Sequence, residues 1–226
     1  MLEITATEAW RAAHPGGVIG LLEMTGLDNT QSPSALEDRK RAIEAQARAQ
    51  YQGYIRADFL ALPVMAAYDR YYTRFNKTYH VQLQLESIVL KSKALPNVSP
   101  AVDANFMAEM ETLVLTAGHD VAKLRAPVTL DVSREGERMT QLKGEPKDIR
   151  AGDMIMRDAE GIACSIIYGQ DARSPITPET THVLYVAYAP PGVPVGSVDD
   201  QLRRITEYVR LFAPAAAVAQ HRLLNA

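Results

Sequence analysis

Two short segments hold most of the residues suited to chemistry. Leu95-Pro-Asn-Val-Ser-Pro-Ala-Val-Asp-Ala-Asn105 starts a helix and brings three hydrogen-bonding side chains, Asn97, Asp103 and Asn105. Thr116-Ala-Gly-His-Asp120 comes soon after and places an imidazole, His119, on a turn just before a series of strands. Imidazole titrates near neutral pH, so His119 can orient or deprotonate a water. The alternative is a histidine that fixes its turn through a backbone hydrogen bond. Gln170-Asp171-Ala172-Arg173 follows a strand and can line a pocket mouth. It can equally be a turn closed by an Asp171–Arg173 ion pair, worth little if exposed. His182 falls inside an expected strand, and His14, His80 and His221 carry no motif.

Other catalytic signatures are missing. There is no GxxxxGK[ST] or GxGxxG phosphate loop, so a nucleotide-dependent enzyme has little support and no cofactor is expected. No GxSxG elbow occurs either. Glu109 and Glu111 fall on different helix faces and carry no special signal. The single cysteine, Cys164, excludes an internal disulfide and sits in the apolar run Ile162-Ala-Cys-Ser-Ile-Ile167, which points to a buried, inert thiol. Without CxxC or HxxxH spacing, no metal site is expected.

The chain has 226 residues, 47% hydrophobic and 23% charged, with a net charge of -3. That composition supports a sizeable core. It lacks the basic balance typical of strong non-specific nucleic-acid binding, so any RNA contact needs a local patch. No secretory signal is visible in Met1 to Gly20, and no apolar stretch nears the roughly 20 residues that span a bilayer. A soluble, cytoplasmic protein without membrane contact is expected, and oligomeric state stays open.

The elements that must position these residues can be outlined. Residues 1–17 read as an edge strand, Leu2 to Trp10, and a His14-Pro-Gly-Gly17 turn. Val18 to Met24 reads as a buried strand. Ser34-Ala-Leu-Glu37 has the form of a capping box for a helix reaching about Gln50. Its Arg39, Lys40, Arg41 and Arg48 form a basic face, either a solvated surface or an RNA-backbone contact. Ala57 to Phe75 is helical, interrupted by Pro63, and its stripe of Tyr68, Tyr71, Tyr72 and Phe75 is suited to the core. Val81 to about Ser92 also has helical spacing. Ser99-Pro100 then opens a helix, with serine as N-cap and proline at the first position.

After Gly118 the apolar period shortens to two. Strands are expected at Pro127 to Ser133, Met139 to Leu142, Asp153 to Met156, Ile162 to Tyr168 and Thr181 to Tyr188. Residues 195–226 read as a C-terminal helix, with Ser197-Val-Asp-Asp200 resembling a capping box. Helices followed by strands argue for an α+β fold, mostly antiparallel sheet packed with helices, and for one domain over residues 1–226.

The order of these segments resembles the B3/B4 domain of the phenylalanyl-tRNA synthetase beta subunit, here free-standing. Leu95 to Asp103 matches the family's helix-start phrase. Thr116 to Asp120 matches its Gly-His/Phe-Asp turn. Arg134-Glu-Gly-Glu137, with Leu142-Lys-Gly144 after it, matches a turn followed by a strand and glycine, and Ile176 to Tyr188 matches a Thr-rich segment and final strand. The similarity runs from about Val18 to Pro194. In the synthetase, that domain hydrolyses tyrosine wrongly attached to phenylalanine tRNA.

The resemblance therefore implies trans-acting hydrolysis of a mischarged aminoacyl-tRNA, with tRNA or aminoacyl-tRNA as partner. The alternative is a tRNA- or small-ligand-binding module that keeps the fold without the chemistry. It implies a pocket built from Asn97, Asp103, Asn105, Thr116, His119 and Asp120, with Gln170 at the mouth, His119 orienting water, and Asn97 or Asn105 meeting substrate polar groups. The family's tyrosine-binding glutamate aligns with Val186, which argues for a more apolar aminoacyl group. Around Thr116 to Asp120 the chain is also shorter than the synthetase pattern, so His119 either replaces the family's histidine or occupies its aromatic position.

Overall fold

A computed structural model describes all 226 residues, Met1–Ala226. The expected α+β architecture is present, with seven helices and mostly antiparallel sheets. The elements run β1 (Ile4–Ala6), α1 (Glu8–Ala13), β2 (Val18–Thr25), α2 (Ser34–Gln50), α3 (Arg56–Leu60), α4 (Pro63–Thr73), α5 (His80–Leu90) and α6 (Pro100–Thr112). They continue with β3 (Thr116–Asp120), β4 (Val128–Val132), β5 (Arg138–Thr140), β6 (Pro146–Asp148), β7 (Met154–Asp158), β8 (Gly161–Ser165), β9 (Gly169–Gln170), β10 (His182–Ala189), α7 (Val195–Phe212) and β11 (Ala217–Asn225). No helix is long and apolar enough to cross a membrane.

Two sheets carry the architecture, ordered β1-β4-β7-β8-β9 and β11-β2-β10-β3. Only β1 and β4 pair in parallel within them. In the second sheet Ala187 lies opposite Gly20 and Thr116, so these residues share one face. A Cβ at Gly20 would lie 2.8 Å from Val198 and 3.1 Å from Leu202, so the missing side chain lets α7 approach the strand closely. On the same face the Tyr185 hydroxyl donates to the Ala101 carbonyl of α6 at 2.9 Å. Helices α6 and α7 thus cover this face, and one apolar core runs through both sheets and the helices.

Several local expectations are corrected. The strand at the start spans only Ile4–Ala6, and Thr7 then caps α1 by accepting the Trp10 amide at 3.1 Å. Helix α7 ends at Phe212, and β11 follows it because β2 would otherwise expose an unpaired edge. Neither serine capping box forms. Pro33 and Pro194 occupy the N-cap positions, and Glu37 instead accepts from Ser32 at 2.8 Å. The Gly118-His119 step is not a turn but the middle of strand β3.

The α6–β3 junction is built from buried polar contacts. Leu113 ends α6 with φ of 62°, a left-handed conformation uncommon for a side chain of its type, and its carbonyl accepts from Tyr79 at 2.8 Å. Tyr79 stacks on Tyr68 with ring centroids 4.0 Å apart, and the Tyr68 hydroxyl accepts the Leu115 amide at 3.0 Å while donating to the Tyr188 carbonyl at 2.7 Å. The Glu109 carboxyl accepts the Thr116 amide at 2.9 Å. On the other side of α6, the Lys40 ammonium is fully buried and donates to Asp103 and Asn97, both at 2.5 Å.

Removing Asp103 leaves the buried Lys40 ammonium with only Asn97 and the more distant Glu37 carboxylate, 4.0 Å away. Asp103→Ala is expected to cost about 3–5 kcal/mol in urea unfolding, and a loss within error of zero would contradict this role. A pH dependence follows from Glu109. Burial pushes its carboxyl up to about 8 from 4.5, outweighing the opposing bonds from Thr116 and Asn105. The folded state holds this proton more tightly than the unfolded chain, so the contribution is full below pH 4.5 and is lost as pH rises through about 8. Buried Asp153, pushed up to about 7, acts with the same sign. Glu109→Gln should flatten the fall in stability across that window by up to about 1.4 kcal/mol per pH unit; an unchanged slope would show that Glu109 is not the group responsible.

Candidate functional site

Strand β3 is the last strand of one sheet, and β9 is the last strand of the other, with only short contacts beyond them from Ser174 and Leu142. They do not pair. Between them, with α6 and the first residue of α5 alongside, lies an open cavity of about 350 Å³. This falls within the range of small-molecule sites. Val98, Val102, Phe106, Leu115 and Ile176 make much of its wall apolar. Gly118 also lines it, and a Cβ there would lie only 2.6 Å from the end of Ile176, so the glycine keeps this side of the cavity open.

Three of the expected residues meet in this wall: Asn105, Thr116 and Gln170. Asn105 donates to the Thr116 carbonyl at 2.9 Å, and Gln201 of α7 donates to the Thr116 hydroxyl at 3.0 Å. Gln170 donates to the Ser174 carbonyl at 2.7 Å and lies 3.2 Å from Nδ1 of His119. These bonds fix polar groups at defined points on a mainly apolar surface.

The other expected residues lie outside the wall. His119 is fully buried behind Gln170, with Nδ1 2.8 Å from the Ser174 hydroxyl. That hydroxyl donates to Asp171 at 2.7 Å, so Nδ1 carries the proton shared with Ser174, and Nε2 is buried without a protein partner. Burial lowers the His119 pKa to about 3, so the ring stays neutral at ordinary pH. Its contact with Gln170 makes it a support for the wall rather than part of it. Asp120 is likewise corrected: its carboxylate accepts the Ala122 amide and the Thr180 hydroxyl, both at 3.0 Å, and caps a single helical turn. Val186 is fully buried in the sheet, and Tyr185 and Tyr188 of the same strand reach the cavity instead.

Asn97 and Asp103 hold the loop before α6. Asp103 accepts the Val98 amide at 3.0 Å and the Lys40 ammonium, which also reaches Asn97. They thereby place Val98 in the wall without entering it. On the basic face of α2 one residue is enclosed and three arginines stay partly exposed but engaged. Lys40 is enclosed, Arg39 pairs with Glu111 at 3.0 Å, Arg41 pairs with Glu44 at 2.5 Å, and Arg48 donates to the carbonyls of Ile88 and Lys93. A second basic feature lies beside the cavity. Lys77 and Lys147 place their ammoniums 6.0 and 5.1 Å from the ring centre of Tyr168, which immediately precedes the wall residues Gly169 and Gln170, and neither lysine pairs with a carboxylate.

The chemistry open to the wall is limited. Its lining includes no carboxylate, lysine or arginine. Cys164 is buried with its thiol pushed up to about 12, so it is not a thiolate nucleophile. The Ser165 hydroxyl is committed to buried Asp153 and accepts the Tyr168 amide at 3.0 Å. A water is therefore the available nucleophile for hydrolysis in this space. His80 sits in the wall too. Its sequence neighbourhood gave no sign of this, because the position depends on tertiary packing that sets the start of α5 beside Tyr72 of α4.

A family model for the B3/4 domain matches residues 65–213. No curated protein matches the chain. Among solved structures, an N-terminal fragment of the phenylalanyl-tRNA synthetase beta-subunit from Pyrococcus horikoshii is similar at 10% identity and a TM-score of 0.49, over 96% of this chain and 50% of that one. The chain thus spans about half the length of that fragment. With the family match covering most of its length, the chain belongs to the B3/4 domain family.

Proposed function

We propose that this protein hydrolyses the ester of a mischarged aminoacyl-tRNA in trans, with the aminoacyl group held in the cavity between β3 and β9. One observation carries the reading: an open, mainly apolar cavity of about 350 Å³ has fixed polar groups from Asn105, Thr116 and Gln170 in its wall. Membership of the B3/4 family and the sequence resemblance to the editing domain supply the substrate class. The apolar wall favours an aliphatic or aromatic side chain, because no wall carboxylate is present to meet a polar one. The amide side chains are suited to the substrate's amino group and ester oxygens. Water attack on a positioned ester needs no protein nucleophile, and donors near the carbonyl steady the oxyanion.

The paired ammoniums of Lys77 and Lys147 beside Tyr168 suit the phosphates and a base of the tRNA 3′ end. They replace the α2 face as the proposed RNA contact. A second reading, binding without turnover, is favoured by the placement of His119 and Asp120 outside the wall.

Incubation with a panel of aminoacyl-tRNAs separates the two. Ester loss confined to apolar amino acids is expected, whereas salt-dependent binding with every ester intact would establish the second reading. Gly118→Val should push Ile176 into the cavity and cut kcat/KM by about tenfold or more, the equivalent of about 1.4 kcal/mol; full activity would place the aminoacyl group elsewhere. The double change Lys77→Glu with Lys147→Glu should weaken tRNA binding by about tenfold and shallow its salt dependence. Unchanged affinity would remove these lysines from the interface.

A further inference from the structure

We infer that His80 is the proton acceptor that activates the hydrolytic water in this cavity. The inference rests on the hydrolytic reading above and adds the residue that performs its proton transfer. His80 is the first residue of α5, and its ring forms part of the cavity wall. Nδ1 lies 3.2 Å from the Tyr72 hydroxyl. That hydroxyl is 2.7 Å from the Ile166 carbonyl, which can only accept, so the single phenolic proton goes to Ile166. The Tyr72 oxygen is left to accept from Nδ1–H of His80. The tautomer is thereby fixed, and the ring's one protein hydrogen bond lies at Nδ1, which leaves the Nε2 lone pair bare. Tyr72 stands to His80 as an orienting group stands to a general base: it sets which nitrogen is free and holds the ring plane.

The surroundings keep this base neutral and leave it without rivals. His80 is exposed on one side, and crowding of the rest of its ring by protein, then the Lys77 ammonium, shift the imidazole below its usual 6.5. Burial raises the pKa of Tyr72 on α4 and of Tyr185 and Tyr188 on β10, so these phenols stay protonated. Cys164 on β8 stays a thiol for the same reason. His80 is therefore the one group of the wall that can take a proton from water near neutral pH.

The reaction balances without a cofactor. The water oxygen bonds to the ester carbonyl carbon while its proton passes to Nε2. The carbon–oxygen bond to the terminal ribose then breaks, and the imidazolium returns the proton to the leaving ribose oxygen. The products are the free amino acid and tRNA with its hydroxyl restored.

Single-turnover deacylation, measured from pH 5 to 8 on tRNA charged with the apolar amino acids, tests the role. The wild-type rate should rise with pH to a plateau, with a midpoint below 6.5. His80→Gln should lower the plateau by about 100-fold, within the usual range for a general base, abolish the rising limb and leave tRNA affinity unchanged. His80→Ala should regain part of the rate when free imidazole is added. A His80→Gln protein that keeps the wild-type rate and pH profile overturns the role of His80 while the hydrolytic reading stands. A wild-type protein that leaves every ester intact overturns both.

Discussion

The site depends on how the end of α6 is joined to β3. Glu109, Asn105, Thr116 and Gln201 form a buried polar cluster at this junction, with Tyr68 and Tyr79 holding the adjoining backbone. Each contact satisfies a group that would be costly to bury alone, such as the Thr116 amide and the Leu113 carbonyl. The left-handed Leu113 is tolerable because these bonds leave the chain no better route from helix to strand. Once β3 is fixed in this way, its edge stands apart from β9 and the gap becomes the cavity. The cluster also determines what faces the gap, since Asn105 and Thr116 belong both to the joint and to the wall.

A buried joint of this kind suits a site that must discriminate by shape. The apolar wall contributes little directional preference, so the few fixed amides set the orientation of a bound group. A neutral imidazole, a protonated thiol and protonated phenols give the cavity low charge, which favours an ester carbonyl over a free carboxylate as the group to be bound. Outside it, Lys77 and Lys147 flank Tyr168, which is the place proposed for the RNA phosphates. The acidic overall balance of the chain is compatible with such a small basic patch.

Much of the scaffold was legible in the sequence. The Ser99-Pro100 start of α6, the buried β2 and the alternating β4 all lie where apolar period and helix-start signals place them. The misses have identifiable causes. An alanine-rich tail has weak strand propensity, yet it forms β11 because β2 offers an open edge. Glycine suggested a turn at Gly118, but that residue lies in β3 to make room for Ile176. Of the cavity wall, Asn105, Thr116 and Gln170 are singled out from their segments, whereas His80 is not. Lys40 looked like part of a cationic surface because helical spacing cannot reveal that Asp103 waits on another helix to enclose it. Glu109 likewise gained its raised pKa only through burial against β3.

The central claim is that the space between β3 and β9 receives an aminoacyl group from the 3′ end of tRNA. A crystal structure with a non-hydrolysable 3′-aminoacylamino-adenosine bearing an apolar side chain tests it most directly. The account predicts the side chain among Val102, Phe106 and Ile176, the amide carbonyl within one water of His80 Nε2, and the adenosine beside Tyr168. Density for the analogue on the α2 face, with the cavity holding only solvent, would contradict it.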